Sequence, residues 1–182
     1  MNIPNILSIL RLALVPVFAM VFHSGVRHAY AIAAAIFVIA SLTDVLDGYI
    51  ARRFNQITRL GRVLDPMADK LLKATAMVCL SIVGVVPVWA TVALFAKEFT
   101  MLFGTIALYK RVKEVPSSNI FGKTAEFSIC ALIIAQIIFD IPLPVSNALW
   151  IVVMAMEFAA MTIYILRSVR SVNQISEEIH EN

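Results

Sequence analysis

Six apolar runs dominate the chain, approximately Ile6 to Phe22, Tyr30 to Leu46, Leu71 to Val86, Val88 to Leu108, Phe127 to Phe139 and Val145 to Leu166. A helix needs about 20 mostly apolar residues to cross the hydrocarbon of a bilayer, where it satisfies its own backbone hydrogen bonds. Six such helices use about 120 residues of the 182 in the chain. Composition points the same way: 60% of the residues are apolar and 15% charged, against about 45–50% and about 25% in soluble domains. Too few polar side chains remain to cover a water-facing surface, so a soluble globular domain is excluded. The expectation is an all-α integral membrane protein with six transmembrane helices, forming one membrane domain over residues 1–170 with a polar tail over 171–182. The fifth run is short for a span and has to borrow flanking turns, and the tail reads as a fraying helix in solvent.

The connections carry a charge pattern. His23, Ser24 and Gly25, then Gly84 to Pro87, then Asp140, Pro142 and Pro144 mark three turns that hold a single basic residue, Arg27. The other side has Arg52, Arg53, Arg59 and Arg62, then Lys110, Arg111, Lys113 and Lys123, with Arg167 and Arg170 after the last run. Basic residues collect in cytoplasmic loops, so a multi-pass protein with both termini in the cytoplasm of a bacterial inner membrane is expected. The formal charge of +3 is accounted for by those clusters and does not call for a nucleic-acid partner. The N-terminal segment lacks the basic start of a secretory signal, and Arg11 interrupts its apolar run, so it is expected to be retained. Cys79 and Cys130 stand apart in apolar surroundings and read as packing residues.

The second run ends in Asp44, Asp47, Gly48, Ala51 and Arg52, and after eight residues the next helix opens with Gly61, Asp65 and Asp69. On a helix, the i,i+3 step from Asp44 to Asp47 and the i,i+4 step from Asp65 to Asp69 each put two carboxylates on one face. An ionisable residue in a spanning helix costs about 2.5–3.5 kcal/mol on insertion scales, so such residues face a polar cavity and have a task. Four acids together also repel one another. A bound divalent cation resolves both problems, because hard ions such as Mg²⁺ take oxygen ligands. The sequence thus predicts a metal site in a polar, cytoplasm-facing active-site cavity. Gly48 and Gly61 let a ligand approach the backbone there, and Arg52 offers a planar donor for phosphate. Asn5, Ser8 and Arg11 recur every three residues on the otherwise apolar first helix, where Pro4 suits the first turn. Pro66 is expected to begin or kink the third helix.

The string DxxDGxxARx8GxxxDxxxD, at Asp44, Asp47, Gly48, Ala51, Arg52, Gly61, Asp65 and Asp69, resembles the signature of the CDP-alcohol phosphatidyltransferases. The resemblance implies transfer of a substituted phosphoryl group from a CDP-linked donor to an alcohol, with CMP leaving and Mg²⁺ or Mn²⁺ required. Two ions are accommodated, and one is not excluded. By position, Asp44, Asp47, Asp65 and Asp69 resemble the metal ligands. Asp69 also resembles the general base that takes the acceptor's proton. Gly48, Arg52 and Gly61 resemble contacts of the cytidine diphosphate, and Asn5, Ser8 and Arg11 a family pattern near the donor phosphates. For the N-terminal stripe, a helix cap with interfacial anchors is the alternative.

CDP-diacylglycerol is the expected donor, since its acyl chains can lie among membrane lipids between the helices. For a single-domain chain of this size the resemblance implies glycerol 3-phosphate as the acceptor, and an anionic acceptor needs cations, which Lys110, Arg111 and Lys123 supply. Gly122, Lys123 and Thr124 resemble a Gly-Lys segment of the family. The following Ala125 and Glu126, and Lys97 with Glu98 in the fourth run, depart from the pattern of members using glycerol 3-phosphate. Lys97 and Glu98 are neighbours in sequence, off a common helix face, so each is expected to reach a different partner, Glu98 bonding to the motif helices. A buried structural role is the alternative. Other acceptors, phosphatidylglycerol or another polyol, remain open, and a cation transporter is the competing reading from another class. The family resemblance also implies a homodimer.

Overall fold

A computed structural model describes residues 3–53, 61–112 and 120–181 of the chain. Six α-helices follow one another, with no strand among the described residues: α1 (Ile3–Phe22), α2 (Ala29–Arg53), α3 (Gly61–Ile82), α4 (Val88–Val112), α5 (Ile120–Ile138) and α6 (Leu143–Glu181). By length and composition, α1, α5 and α6 are long and apolar enough to cross a membrane, over Asn5–Phe22, Phe121–Ile138 and Leu143–Val169, and α2 has a shorter apolar stretch, Ala29–Asp44. The 22 residues of α3 and the 25 of α4 give sufficient length, but Asp65, Asp69, Lys70 and Lys73 charge the first, and Lys97 and Glu98 sit in the middle of the second.

The fifth run does borrow flanking turns, about two of them, since α5 starts at Ile120 rather than Phe127. The last helix runs on through the polar tail to Glu181. The third helix begins at Gly61, ten residues before the apolar run at Leu71, so the acidic segment is itself helical. Pro66 therefore lies inside α3 and does not begin it. Its ring nitrogen has no proton to give to the carbonyl of residue 62.

The chain divides into two compact units, one of residues 1–86 and 130–143, the other of residues 87–129 and 144–182. In the first, α1 packs against both α2 and α3. Small side chains on the partners, Ala33, Ala34 and Ala40 on α2 and Ala68 and Ala76 on α3, are buried, which lets helix backbones approach closely. Phe18 of α1 meets Phe22 and Phe37 at ring-centroid distances of 5.8 and 6.1 Å. A Schellman motif closes α3, with the Val85 N–H donating to the Leu80 carbonyl at 3.0 Å and the Gly84 N–H to that of Ser81 at 3.1 Å. Gly84 takes a φ of 78° there, which glycine adopts without the Cβ penalty of other residues. In the second unit Trp150, Met154 and Leu94 are buried, and the Trp89 indole N–H donates to Asn147 Oδ1 at 2.9 Å, linking α4 to α6.

Candidate active site

The buried stripe of α1 changes character along its length. Asn5, Ser8 and Arg11 form its first half, at 6%, 0% and 1% exposure, while Phe18 and Phe22 form the second. Pro4 in the first turn suits the start of this helix, and the i,i+3 spacing then keeps the three polar residues on one face. Polar groups buried this deeply need partners, and Ser8 and Arg11 find theirs on the acidic helices. The Ser8 hydroxyl donates to Asp65 Oδ1 on α3. The Arg11 guanidinium donates through Nη1 to Asp44 Oδ1 on α2 and forms an ion pair with it. The N-terminal stripe is thus joined to the carboxylates of both following helices, and interfacial anchoring does not describe these inward-facing side chains.

On α3 the Lys73 ammonium holds Asp69 Oδ2 at 2.6 Å, one helical turn away. Lys73 is buried, whereas Lys70, on the next position after Asp69, is exposed. The charges of Arg11, Asp69 and Lys73 all act on Asp44, so Asp44 of α2 and Asp69 of α3 share one electrostatic environment. Gly61 is buried at the first position of α3. Lys73 went unnoticed at the sequence level; its signal was the i,i+4 step from Asp69, acid first, the favourable order for such a pair.

Asp47, Gly48 and Arg52 lie on α2, and Lys110 and Arg111 on α4, but the surroundings of Gly48 and the side chains of the other four are outside what is described. Among the described residues no three His, Cys, Asp or Glu side chains are grouped so as to hold a metal ion. The donor chemistry of Asp44, Asp65 and Asp69 nevertheless suits a hard divalent cation, which takes carboxylate oxygens.

In the second unit, Lys123 is exposed on α5. Lys97 and Glu98 depart from their expected separation. The Lys97 ammonium lies 2.6 Å from Glu98 Oε1, 2.9 Å from Glu157 Oε2 and 3.8 Å from Glu126 Oε2. Adjacent helix positions diverge, but a long lysine stem reaches back across the gap. Glu157 is buried at 3% exposure, and its Oε1 has no hydrogen-bond partner among the described residues. It too was missed in the sequence, although an acid inside the sixth apolar run is the same signal that singled out the four aspartates.

A family model described as CDP-alcohol phosphatidyltransferase matches residues 1–166. The chain is 29% identical over 170 residues to a Bacillus subtilis (strain 168) protein named CDP-diacylglycerol--glycerol-3-phosphate 3-phosphatidyltransferase, covering 84% of this chain and 88% of that one. It is 33% identical over 183 residues to a Mycobacterium tuberculosis (strain CDC 1551 / Oshkosh) protein named "Probable phosphatidylglycerophosphate synthase", covering 97% and 86%. A Streptomyces coelicolor protein named cardiolipin synthase (CMP-forming) is 37% identical over 132 residues, 71% of this chain and 61% of that one.

Proposed function

The chain belongs to the CDP-alcohol phosphatidyltransferase family, and from that premise we propose that it transfers a phosphatidyl group from CDP-diacylglycerol to glycerol 3-phosphate, forming phosphatidylglycerophosphate and CMP. The observation that carries the reading is the junction of the Asn5, Ser8 and Arg11 stripe with the motif carboxylates, through Ser8 to Asp65 and Arg11 to Asp44. Two helices of the motif and the N-terminal helix thereby meet at one polar end of an otherwise apolar unit. The choice of donor and acceptor is supported by the name of the Bacillus subtilis relative, and the product by that of the Mycobacterium tuberculosis relative. Family membership favours a transferase over a cation transporter.

In this reading Asp44, Asp47, Asp65 and Asp69 hold Mg²⁺ or Mn²⁺. When bound, the metal offsets charge on the donor diphosphate and polarises the phosphorus under attack. Gly48 and Gly61 leave room for the cytidine diphosphate at the backbone. Arg52 and Arg11 offer guanidinium forks to its phosphates, Asn5 offers a neutral hydrogen bond, and Ser8 stands beside them with its hydroxyl on Asp65. Asp69 accepts the proton of the attacking glycerol hydroxyl as its oxygen bonds to the phosphatidyl phosphorus. The bond from that phosphorus to the CMP oxygen breaks, and CMP leaves with the electron pair. Lys123, Lys110 and Arg111 attract the phosphate of the acceptor. The protein is a homodimer in the inner membrane, its termini and its site on the cytoplasmic side, with residues 1–170 as the membrane domain and 171–182 as a cytoplasmic tail.

A second reading has a specific support, the Streptomyces coelicolor relative named cardiolipin synthase. It keeps the donor and the residues above and replaces glycerol 3-phosphate by phosphatidylglycerol. The experiment is CMP release by the purified protein in detergent with CDP-diacylglycerol and Mg²⁺, comparing both acceptors and none, with products identified by mass. Phosphatidylglycerophosphate formed only with glycerol 3-phosphate is the expected result. Cardiolipin formed from phosphatidylglycerol selects the second reading, and no CMP with any acceptor overturns both.

A further inference from the structure

The turn that joins α1 to α2 lies well away from the motif, since α2 rises about 22 Å between Ala29 and Asp44. There His23, Gly25, Val26, His28 and Tyr30, over the buried Phe22, line a cavity of about 370 Å³, within the ligand-pocket range of about 300–1,000 Å³. Its walls are fixed by their own contacts. Phe22, at 4% exposure, holds the His23 ring edge-on at a centroid distance of 5.2 Å and the Tyr30 ring at 5.0 Å. The Ser24 N–H and hydroxyl both donate to the Val21 carbonyl, at 3.1 and 2.7 Å, and the Ala29 N–H donates to that of Val26 at 3.0 Å. Gly25 and His28 take left-handed φ values of 65° and 69°. In a residue with a side chain that conformation is costly and persists where the surroundings impose it.

This turn carries donors without partners. Among the described residues, the N–H groups of Gly25, Arg27 and His28 and the Arg27 guanidinium have no hydrogen-bond partner, and no carboxylate pairs with Arg27. No acid precedes Asp44 in the chain, so the charge of Arg27 is unopposed within α1 and its turn. His23 and His28 each add an imidazole N–H, and exposed backbone N–H groups around a left-handed residue form a concavity that binds anions. Anchoring at the membrane surface accounts for Arg27 taken alone. It does not account for the cavity beside it, or for two imidazoles and three free N–H groups on one short turn.

We propose that this turn is a phosphate-binding site, separate from the candidate active site, and that it takes the phosphodiester of an anionic phospholipid. The apolar span of α1 ends at Phe22, which puts the cavity at the membrane surface, where lipid phosphates lie. Arg27 supplies the charge and a planar fork for the phosphate oxygens, and the imidazole and backbone N–H groups complete the cradle. Val26 and Tyr30, at 60% and 51% exposure, set an apolar surface beside those donors, which suits the glycerol and acyl part of a lipid better than a bare anion. With the termini in the cytoplasm, as proposed above, this site faces the other side of the membrane. No bond is made or broken there.

The test reads the two imidazoles directly. Full-length protein with isotope-labelled histidine is held in a neutral detergent, and the ring signals are followed by NMR as dihexanoylphosphatidylglycerol, dihexanoylglycerol or inorganic phosphate is added. The chain has three histidines, so His180 in the tail is the internal reference. The signals of His23 and His28 are expected to shift saturably with the phospholipid while His180 stays. Inorganic phosphate should bind about 10-fold more weakly, and dihexanoylglycerol should give no shift. Arg27→Gln, folded by circular dichroism and gel filtration, should weaken phospholipid binding about 10-fold or more. Absence of a saturable shift at His23 and His28 in the wild type overturns the proposal whatever the variant does. Equal shifts at His180 or in Arg27→Gln also overturn it, since they report the charge of the micelle and not a site. A response to dihexanoylglycerol as strong as that to the phospholipid overturns the phosphate, and inorganic phosphate binding as tightly as the phospholipid overturns the lipid.

Discussion

Arg11 on α1 is fully inside the protein and donates to Asp44 at the polar end of α2, so that one turn of the first helix is fastened to the motif. The pair is asymmetric, with the guanidinium side chain at 0% exposure and the carboxylate at 39%. Water reaches Asp44 and weakens the pair as a source of stability, but the same opening lets a ligand reach it.

Replacement of Arg11 therefore acts on the reaction more than on the fold. Arg11→Lys keeps the charge and loses the planar fork, and groups supporting a metal ligand typically cost about 10–100-fold when removed. CMP release is expected to fall in that range for Arg11→Lys and at least as far for Arg11→Met. Turnover of Arg11→Met within twofold of wild type removes Arg11 from the site.

Ser8→Ala takes the hydroxyl from Asp65 without changing charge. Its effect is expected in the affinity for Mg²⁺, weakened about 10-fold, with the maximal rate at saturating metal nearly kept. A titration of rate against Mg²⁺ separates the two, and an unchanged half-saturation contradicts a supporting role for Ser8.

Asp69 and Asp65 are predicted to differ in kind. Asp65→Asn removes a metal ligand, so both Mn²⁺ binding and CMP release are lost. Asp69→Asn removes the proton acceptor and one of four carboxylates at the metal, so the rate at saturating metal falls by about 10²–10⁴-fold while Mn²⁺ still binds, more weakly, through Asp44, Asp47 and Asp65. Normal turnover in Asp69→Asn with normal metal affinity sinks its role as base. Chelation by EDTA should abolish CMP release in the wild type, and added Mg²⁺ or Mn²⁺ should restore it.

The sequence made much of this visible because its strongest signals are local. Apolar length set most of the helices, and the fixed spacing from Asp44 to Asp69 marked the candidate site. The periodic stripe of Asn5, Ser8 and Arg11 marked a face of α1, but periodicity does not say what lies opposite a face, and the pairing with Asp65 and Asp44 came only from the fold. The start of α3 at Gly61 was legible from the motif and not from hydrophobic length, which reports only the apolar part of a helix and begins at Leu71. Lys73 and Glu157 were hidden for opposite reasons. The lysine merged with the charges around it, and the glutamate was lost in a long apolar run. Neither residue type tells whether its head is buried with a partner or turned to water.

Glu157 provides the test of that distinction in the second unit. Lys97 there faces three carboxylates, of which Glu98 and Glu157 are within 2.9 Å. Removing one member of a buried ion pair costs about 3–5 kcal/mol because the other is left uncompensated, whereas removing both is often nearly neutral. Lys97→Met strands Glu157, which has 3% exposure and little access to water, so the variant should lose stability of that order. Glu157→Gln leaves Lys97 with Glu98 and should cost about 1 kcal/mol. The double variant should recover most of the loss of Lys97→Met. Thermal unfolding in detergent, followed at one heating rate for all three, reads the order. A double variant as unstable as Lys97→Met alone shows that Lys97 acts through Glu98 or Glu126 and that its bond to Glu157 is incidental.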